Sequence, residues 1–293
     1  MGLGMAAVKL NLELWQRGLF KDLNSVLDFG SQELHLKLAD FEEFVDAAGI
    51  VDYDKSKFAA LDNWPGAPRC SAKPFYSLMG LNKYASVDLG GEFGSIPIDL
   101  GEPLSNPEQY GQFDVVTDHG TNEHVFNVPE AYRTMHRLCK KNGMMVICQA
   151  AYNGNGYYNF DSSFFEGLAA ANNYRILFAS YTITTKDLTP EGSNVQFDVP
   201  LARDLLNAID LSKITHLGIC YVFSKMADAD FQYPYQGGYL SQKQGHFGYE
   251  LKFSAEPPSR SYLPVFDSND IPVTTKELAK VLYRRVAAKI FRS

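Results

Sequence analysis

Four short apolar runs in the first half of the chain each lead to an aspartate and then into turn chemistry. This ordered repetition limits the fold more than any other feature. Ser25-Val26-Leu27-Asp28 leads into Phe29-Gly30-Ser31-Gln32, and Tyr84-Ala85-Ser86-Val87 ends at Asp88. Ser95-Ile96-Pro97-Ile98 ends at Asp99-Leu100, and Phe113-Asp114-Val115-Val116-Thr117-Asp118 leads into His119-Gly120. Apolar runs of this kind mark parallel strands covered by helices on both faces. A glycine after such a run permits a tight bend and lets backbone N–H groups come close to a ligand. Pro97 predicts an edge position for the third strand, because a missing N–H does little harm there. Any one acid could cap a loop; a succession of them at strand tips points to a ligand site.

Helical spacing alternates with these runs. The pattern predicts helices over 5–20, Asp40–Ala48, Ser56–Leu61, Pro129–Cys139, 161–172, 200–209 and 274–291. Further strands are predicted over Met144–Ala150, 174–184 and 215–223, with a loop over 185–198. Alternation of this kind indicates an α/β fold with a doubly wound, mostly parallel sheet. It divides into an N-terminal helix (1–23), a sheet domain (24–225) and a C-terminal extension (226–293) expected to pack on the core. The span 31–84 is longer than a simple strand–helix–strand step needs. It is either a structural insertion or a cap over the site. The tract 227–262, rich in Tyr, Gln and Gly, has no clear period and suits an arm against the core or a second subunit. On the last helix, Lys276, Lys280, Arg284, Arg285 and Lys289 form a basic, solvated face.

A formal net charge of −7 disfavours nucleic acid as a partner, since phosphate backbones need a basic face. The four cysteines, Cys70, Cys139, Cys148 and Cys220, form no C-x-x-C pair, so no metal centre or disulfide framework is expected. No secretory leader and no run long enough to span a bilayer is evident, and the expectation is a cytoplasmic protein without stable membrane insertion.

With these motifs in order, the chain resembles the class I S-adenosylmethionine-dependent methyltransferase family over about 24–150, with the fold extending to about 225. Val26-Leu27-Asp28-Phe29-Gly30-Ser31 resembles the family's first motif, and Phe113-Asp114-Val115-Val116 with Glu123-His124-Val125 and Arg137–Gly143 resembles the fourth. The resemblance implies a Rossmann-like methyltransferase fold, S-adenosyl-L-methionine as cofactor, and methyl transfer to a small molecule. It places the cofactor against Asp28, Phe29, Gly30, Ser31 and Gln32, the ribose at Asp88-Leu89, the adenine at Asp99-Leu100, and the methyl donor beside Asp118, His119 and Gly120. Acceptor contacts are implied for Glu123, Tyr157, Tyr158 and Asn159. Gly156–Phe160 and Phe231–Gln236 resemble methyltransferase-like proteins of sugar and surface-polymer clusters, which makes a sugar or secondary-metabolite hydroxyl or amine the expected acceptor. One departure stands out. Gln32 occupies a position where the family usually has glycine, bringing a Cβ and an amide toward the methionine end of the cofactor.

His124 and His119 are the candidate general bases, because imidazole titrates near neutral pH. The other reading of His124 is that Glu123-His124 holds the loop to the following helix. Two further functions compete. The altered glycine turn suits a non-catalytic binding or assembly subunit, with a homo-oligomer as one possible assembly. An NAD-dependent enzyme on a similar sheet is disfavoured, because no G-x-G-x-x-G follows the first strand.

Overall fold

The structure is a computed structural model that describes residues 2–185, 195–201, 214–235 and 252–253. Its strands are β1 (Gly2–Gly4), β2 (Ser25–Phe29), β3 (Glu33–His35), β4 (Lys83–Val87), β5 (Phe113–His119), β6 (Cys139–Tyr152), β7 (Tyr174–Thr185), β8 (Val195–Pro200), β9 (Ile214–Lys225) and β10 (Lys252–Phe253). The helices are α1 (Met5–Gln16), α2 (Leu38–Ala47), α3 (Lys73–Leu78), α4 (Val128–Leu138) and α5 (Ser162–Asn172).

The main sheet runs β10-β7-β9-β6-β5-β2-β4, with β8 paired to β7. β4, β2, β5 and β6 are mutually parallel, whereas β9 is antiparallel to both β6 and β7. The alternation of side chains along each strand divides the core in two. Leu27, Val116, Met145, Ile147, Tyr221 and Phe223 pack under α4 and α5 on one face. Val26, Val115, Met144, Val146, Cys220 and Val222 pack under α1, α2 and α3 on the other. Apolar runs on β2, β5 and β6 are therefore what a doubly wound sheet requires.

The 31–84 segment contributes to that second core: Phe41, Val45, Phe58, Leu61, Phe75 and Tyr76 are all buried in it. Local chemistry sets several helix ends. Asp161 accepts from the Ser163 N–H at 2.9 Å to start α5, and Asn173 ends it in the left-handed region at φ 56°. The C-terminal end of α4 is capped from a distance. The ammonium of Lys225, 1% exposed, donates to the carbonyls of His136 at 2.8 Å and Cys139 at 3.0 Å.

Several sequence expectations need correction. The third run is no strand: Val87 and Ile96 form a single parallel bridge, and Pro97 beyond it has no N–H to extend the ladder. The 185–198 loop contains the start of β8, which pairs with Ser180–Thr185 of β7. The first helix stops at Gln16 rather than 20, and a small parallel sheet of β1 with β3 was not anticipated. Cys139–Gly143 is already part of β6, with Asn142 at φ 63° making its turn. The expected helix over 200–209 from residue 202 on, the arm beyond 235 and the helix over 274–291 lie outside the described residues. No described helix is long and apolar enough to cross a membrane.

Candidate functional site

β2 pairs with β4 on one side and β5 on the other, so the direction of strand order reverses there. Open α/β sheets bind ligands beyond the carboxyl ends of the strands at such a switch point. The turns after β2, β4 and β5 meet at this place.

Gly30 turns in the left-handed region at φ 88° and donates its N–H to the Val87 carbonyl at 2.7 Å. A side chain there would be strained. The next residue, Ser31, donates its N–H to Asp88 Oδ2 at 2.8 Å, while Gly90 donates to Oδ1 at 2.7 Å. A carboxylate has about four acceptor sites, so Asp88, half-buried at the tip of β4, keeps capacity for two more donors. The hydroxyls of Ser31, Ser95 and Ser86 form a buried chain with links of 2.8 and 2.6 Å. Leu89 is exposed and Leu100 buried. Asp99 is exposed and accepts from the Gly101 N–H at 2.8 Å, and Gly101 is tied in turn to Asn127 beside the start of α4.

Asp28 sits elsewhere. It points under α3, fully buried, and its carboxylate accepts from the hydroxyls of Tyr76 at 3.0 Å, Tyr84 at 2.9 Å and Thr117. Burial raises its pKa to about 7, against the pull of the Thr117, Tyr84 and Tyr76 hydrogen bonds. Phe29 packs in the α4–α5 core and presents only its carbonyl to the turn.

Gln32 is fully buried. Its amide donates to the Phe29 carbonyl at 2.7 Å and to Thr121 Oγ1 at 3.0 Å, and the Thr121 hydroxyl donates to the same carbonyl at 2.6 Å. Gln32 Oε1 is buried without a partner among the described residues. The amide that replaces the expected glycine thus bridges the β2 and β5 turns.

At the tip of β5, Asp118 Oδ1 accepts from the N–H groups of Thr121 at 2.9 Å and Asn122 at 3.2 Å, and Oδ2 accepts from Gln149 at 2.5 Å. Burial raises its pKa to about 7. His119 is buried with neither ring nitrogen partnered among the described residues, and desolvation pushes its pKa down to about 4. Gly120, at φ 80°, donates its N–H to the Cys148 carbonyl at 2.8 Å.

Beyond the β5 turn, Glu123 Oε2 accepts from the Ala150 N–H at 2.7 Å, and its backbone carbonyl accepts from the Tyr157 N–H at 2.7 Å and the Tyr158 N–H at 3.3 Å. Burial raises the Glu123 pKa. Gly156 allows this close approach, since a Cβ there would stand 2.5 Å from the Glu123 carbonyl oxygen. The half-exposed His124 lies with Nε2 3.7 Å from Glu123 Oε1. Tyr157 is exposed and packs edge-on to exposed Phe126, whose carbonyl accepts from the Tyr158 hydroxyl at 2.8 Å. Asn159 lines a cavity of about 290 Å³ with Ala151, Tyr152, Tyr181 and Leu217.

Gly30, Ser31, Gln32, Asp88 and the Asp118–Glu123 turn are therefore brought together. Asp28 is turned into the core, and Asp99 is exposed to solvent. Thr121 and Gln149 were missed by sequence reasoning. Gln149 was the findable one: it is a single polar residue in the apolar run Met144–Ala150.

No family model matches the chain, and no curated protein matches it. Solved structures to which the chain is similar include a Burkholderia thailandensis 1,6-didemethyltoxoflavin-N1-methyltransferase with bound 1,6-didemethyltoxoflavin and S-adenosylhomocysteine. It is 12% identical, with 75% of this chain and 79% of that one covered and a TM-score of 0.39. A SAM-dependent methyltransferase from Archaeoglobus fulgidus is 12% identical, covering 75% and 94% at a TM-score of 0.37. A TehB-like SAM-dependent methyltransferase from Corynebacterium glutamicum is 12% identical, covering 73% and 86% at a TM-score of 0.35.

Proposed function

We propose that this chain is an S-adenosyl-L-methionine-dependent methyltransferase acting on a small molecule, such as a sugar or secondary-metabolite hydroxyl or amine. The observation that carries the reading is the convergence at one switch point of the left-handed Gly30 turn and the half-satisfied carboxylate of Asp88. When bound, the cofactor supplies an electrophilic methyl on a sulfonium. The residues present fit its nucleoside end: Asp88 has acceptor capacity for two ribose hydroxyls, and the exposed carboxylate of Asp99 would take the adenine amine. The Gly30–Gln32 turn would face the amino-acid end.

The chain's remaining work is alignment and proton removal. His124 is the accessible imidazole and is proposed as the base for a hydroxyl acceptor. His119 would line the methyl-donor side as a neutral ring. Tyr157, Tyr158 and Asn159 would shape the acceptor side, where the Glu123 contacts hold their loop.

A second reading has a specific observation behind it. The Gln32 amide spans the β2 and β5 turns where the methionine part of the cofactor would lie, which suits a non-catalytic binding or assembly subunit. Calorimetric titration with S-adenosylhomocysteine separates the two. Saturable binding that weakens about tenfold or more in Asp88→Asn supports the first reading. That variant keeps an oxygen for the Ser31 N–H. Absence of binding in the folded wild type would overturn the first reading and favour the second. Loss of turnover in His124→Ala with cofactor binding intact would assign the base, and full turnover would remove it.

A further inference from the structure

The structure brings together two cysteines that lie 72 residues apart. Cys148 on β6 and Cys220 on β9 are directly opposed partners in an antiparallel pair, with their sulfur atoms 2.7 Å apart. Directly opposed antiparallel residues have Cα separations of about 4.5 or 5.5 Å. Both values fall within the roughly 4.4–6.8 Å that a disulfide spans. Bridging therefore requires side-chain rotation and no movement of the strands. The other two thiols have different surroundings. Cys70 lies near the carbonyls of Lys57 and Ser71, and Cys139 near those of Lys140 and Met144.

We propose that Cys148 and Cys220 are an oxidisable dithiol site that a hydroperoxide closes to an intrachain disulfide. Cys148 is partly buried and Cys220 more fully so, which makes Cys148 the member an oxidant reaches first. The Cys148 sulfur, its proton lost, attacks one peroxide oxygen. The O–O bond breaks, the sulfur becomes a sulfenic acid, and with hydrogen peroxide the other oxygen leaves as water. The Cys220 sulfur, deprotonated in turn, attacks the Cys148 sulfur, and the S–O bond breaks to release a second water. Two thiols are oxidised and one peroxide is reduced to two waters. The hydrogen bond to Cys220, together with burial, holds the Cys148 thiol well above its ordinary range. The closure is accordingly slow at neutral pH and quickens as pH rises.

The site adjoins the strand tips. The register sets His119, Cys148 and Cys220 side by side across β5, β6 and β9, and the Cys148 carbonyl holds the Gly120 N–H. A disulfide there would tie β9 covalently to the strand that supports the β5 turn. This inference stands independently of the methyl-transfer reading.

The test uses the full chain, treated with hydrogen peroxide at about pH 8.5, near the free thiol pKa. The chain is then alkylated in denaturant and digested without reductant. The expected result is loss of two of the four alkylatable thiols, one linked peptide pair joining Cys148 to Cys220, and full recovery with dithiothreitol. In Cys220→Ser the reaction should stop at a Cys148 sulfenic acid that dimedone traps. The proposal is overturned if all four thiols still alkylate, if wild-type Cys148 proceeds to the sulfinic acid, or if the linkage joins Cys70, Cys139 or a second chain.

Discussion

The side-chain amide of Gln32 donates to Thr121 Oγ1 across 3.0 Å, joining the turn after β2 to the turn after β5. Both groups also bond the Phe29 carbonyl, so three polar atoms close on one another at the switch point of the sheet. The residue that departs from the expected glycine is thus built into the backbone of the site.

Gln32→Ala removes both amide bonds and the amide itself. Because the lost partners are buried, stability should fall by about 1–3 kcal/mol. The widened crossing should let S-adenosylhomocysteine bind about tenfold more tightly. Urea denaturation and calorimetry measure the two effects separately. Unchanged or weaker binding would show that the amide is no obstruction.

Asp28 bears on stability against pH. Its folded pKa of about 7 lies above the ordinary 3.8. Between those values the folded state holds a proton that the unfolded state has lost. The favourable contribution is therefore complete below about pH 4 and gone once pH has risen through 7. Ionising this buried acid costs up to about 4 kcal/mol. Asp28→Asn should flatten the stability profile across that window and be the more stable form at alkaline pH. An unchanged slope in urea titrations at several pH values would contradict this.

His119 has the opposite sign. Its folded pKa of about 4 is below the ordinary 6.5, so the neutral ring favours the fold fully above 6.5. That contribution, up to about 3 kcal/mol, is lost as pH falls through 4. The His119 imidazole carbon shifts should stay flat from neutral pH down to about pH 5. A titration near the ordinary imidazole value would show that water reaches the ring.

Lys225 holds the end of α4 through two carbonyls. Lys225→Met keeps the apolar stem and removes both bonds. The stranded carbonyls should cost about 1–3 kcal/mol each. Amide exchange in the last turn of α4 should quicken more than in α5. Equal protection in both helices would argue against the cap.

How much of this was legible beforehand varies by residue. The tips at Gly30, Asp88 and Gly120 could be read because a strand ending in an acid or glycine is a local pattern. Asp28 looked no different from Asp88, yet three hydroxyls from β4, α3 and β5 hold it in the core. Ser95–Leu100 showed strand chemistry and yielded one bridge, since a single proline decides whether a ladder continues. The loop carrying Asn153–Asn159 was recognised from its glycines, but its attachment to Glu123 depends on a contact between distant segments.

By itself the sequence determined the alternation of strands and helices, and the acid- and glycine-bearing tips of the strands. Hydrophobic period and turn chemistry act over a few residues and need no knowledge of what lies opposite. Tertiary structure alone decided which carboxylates face the tips, that Gln32 meets Thr121, and that Cys148 meets Cys220. Each of these follows from strand order, register and the parity of side chains on the sheet, which arise only when segments far apart in the chain pack together.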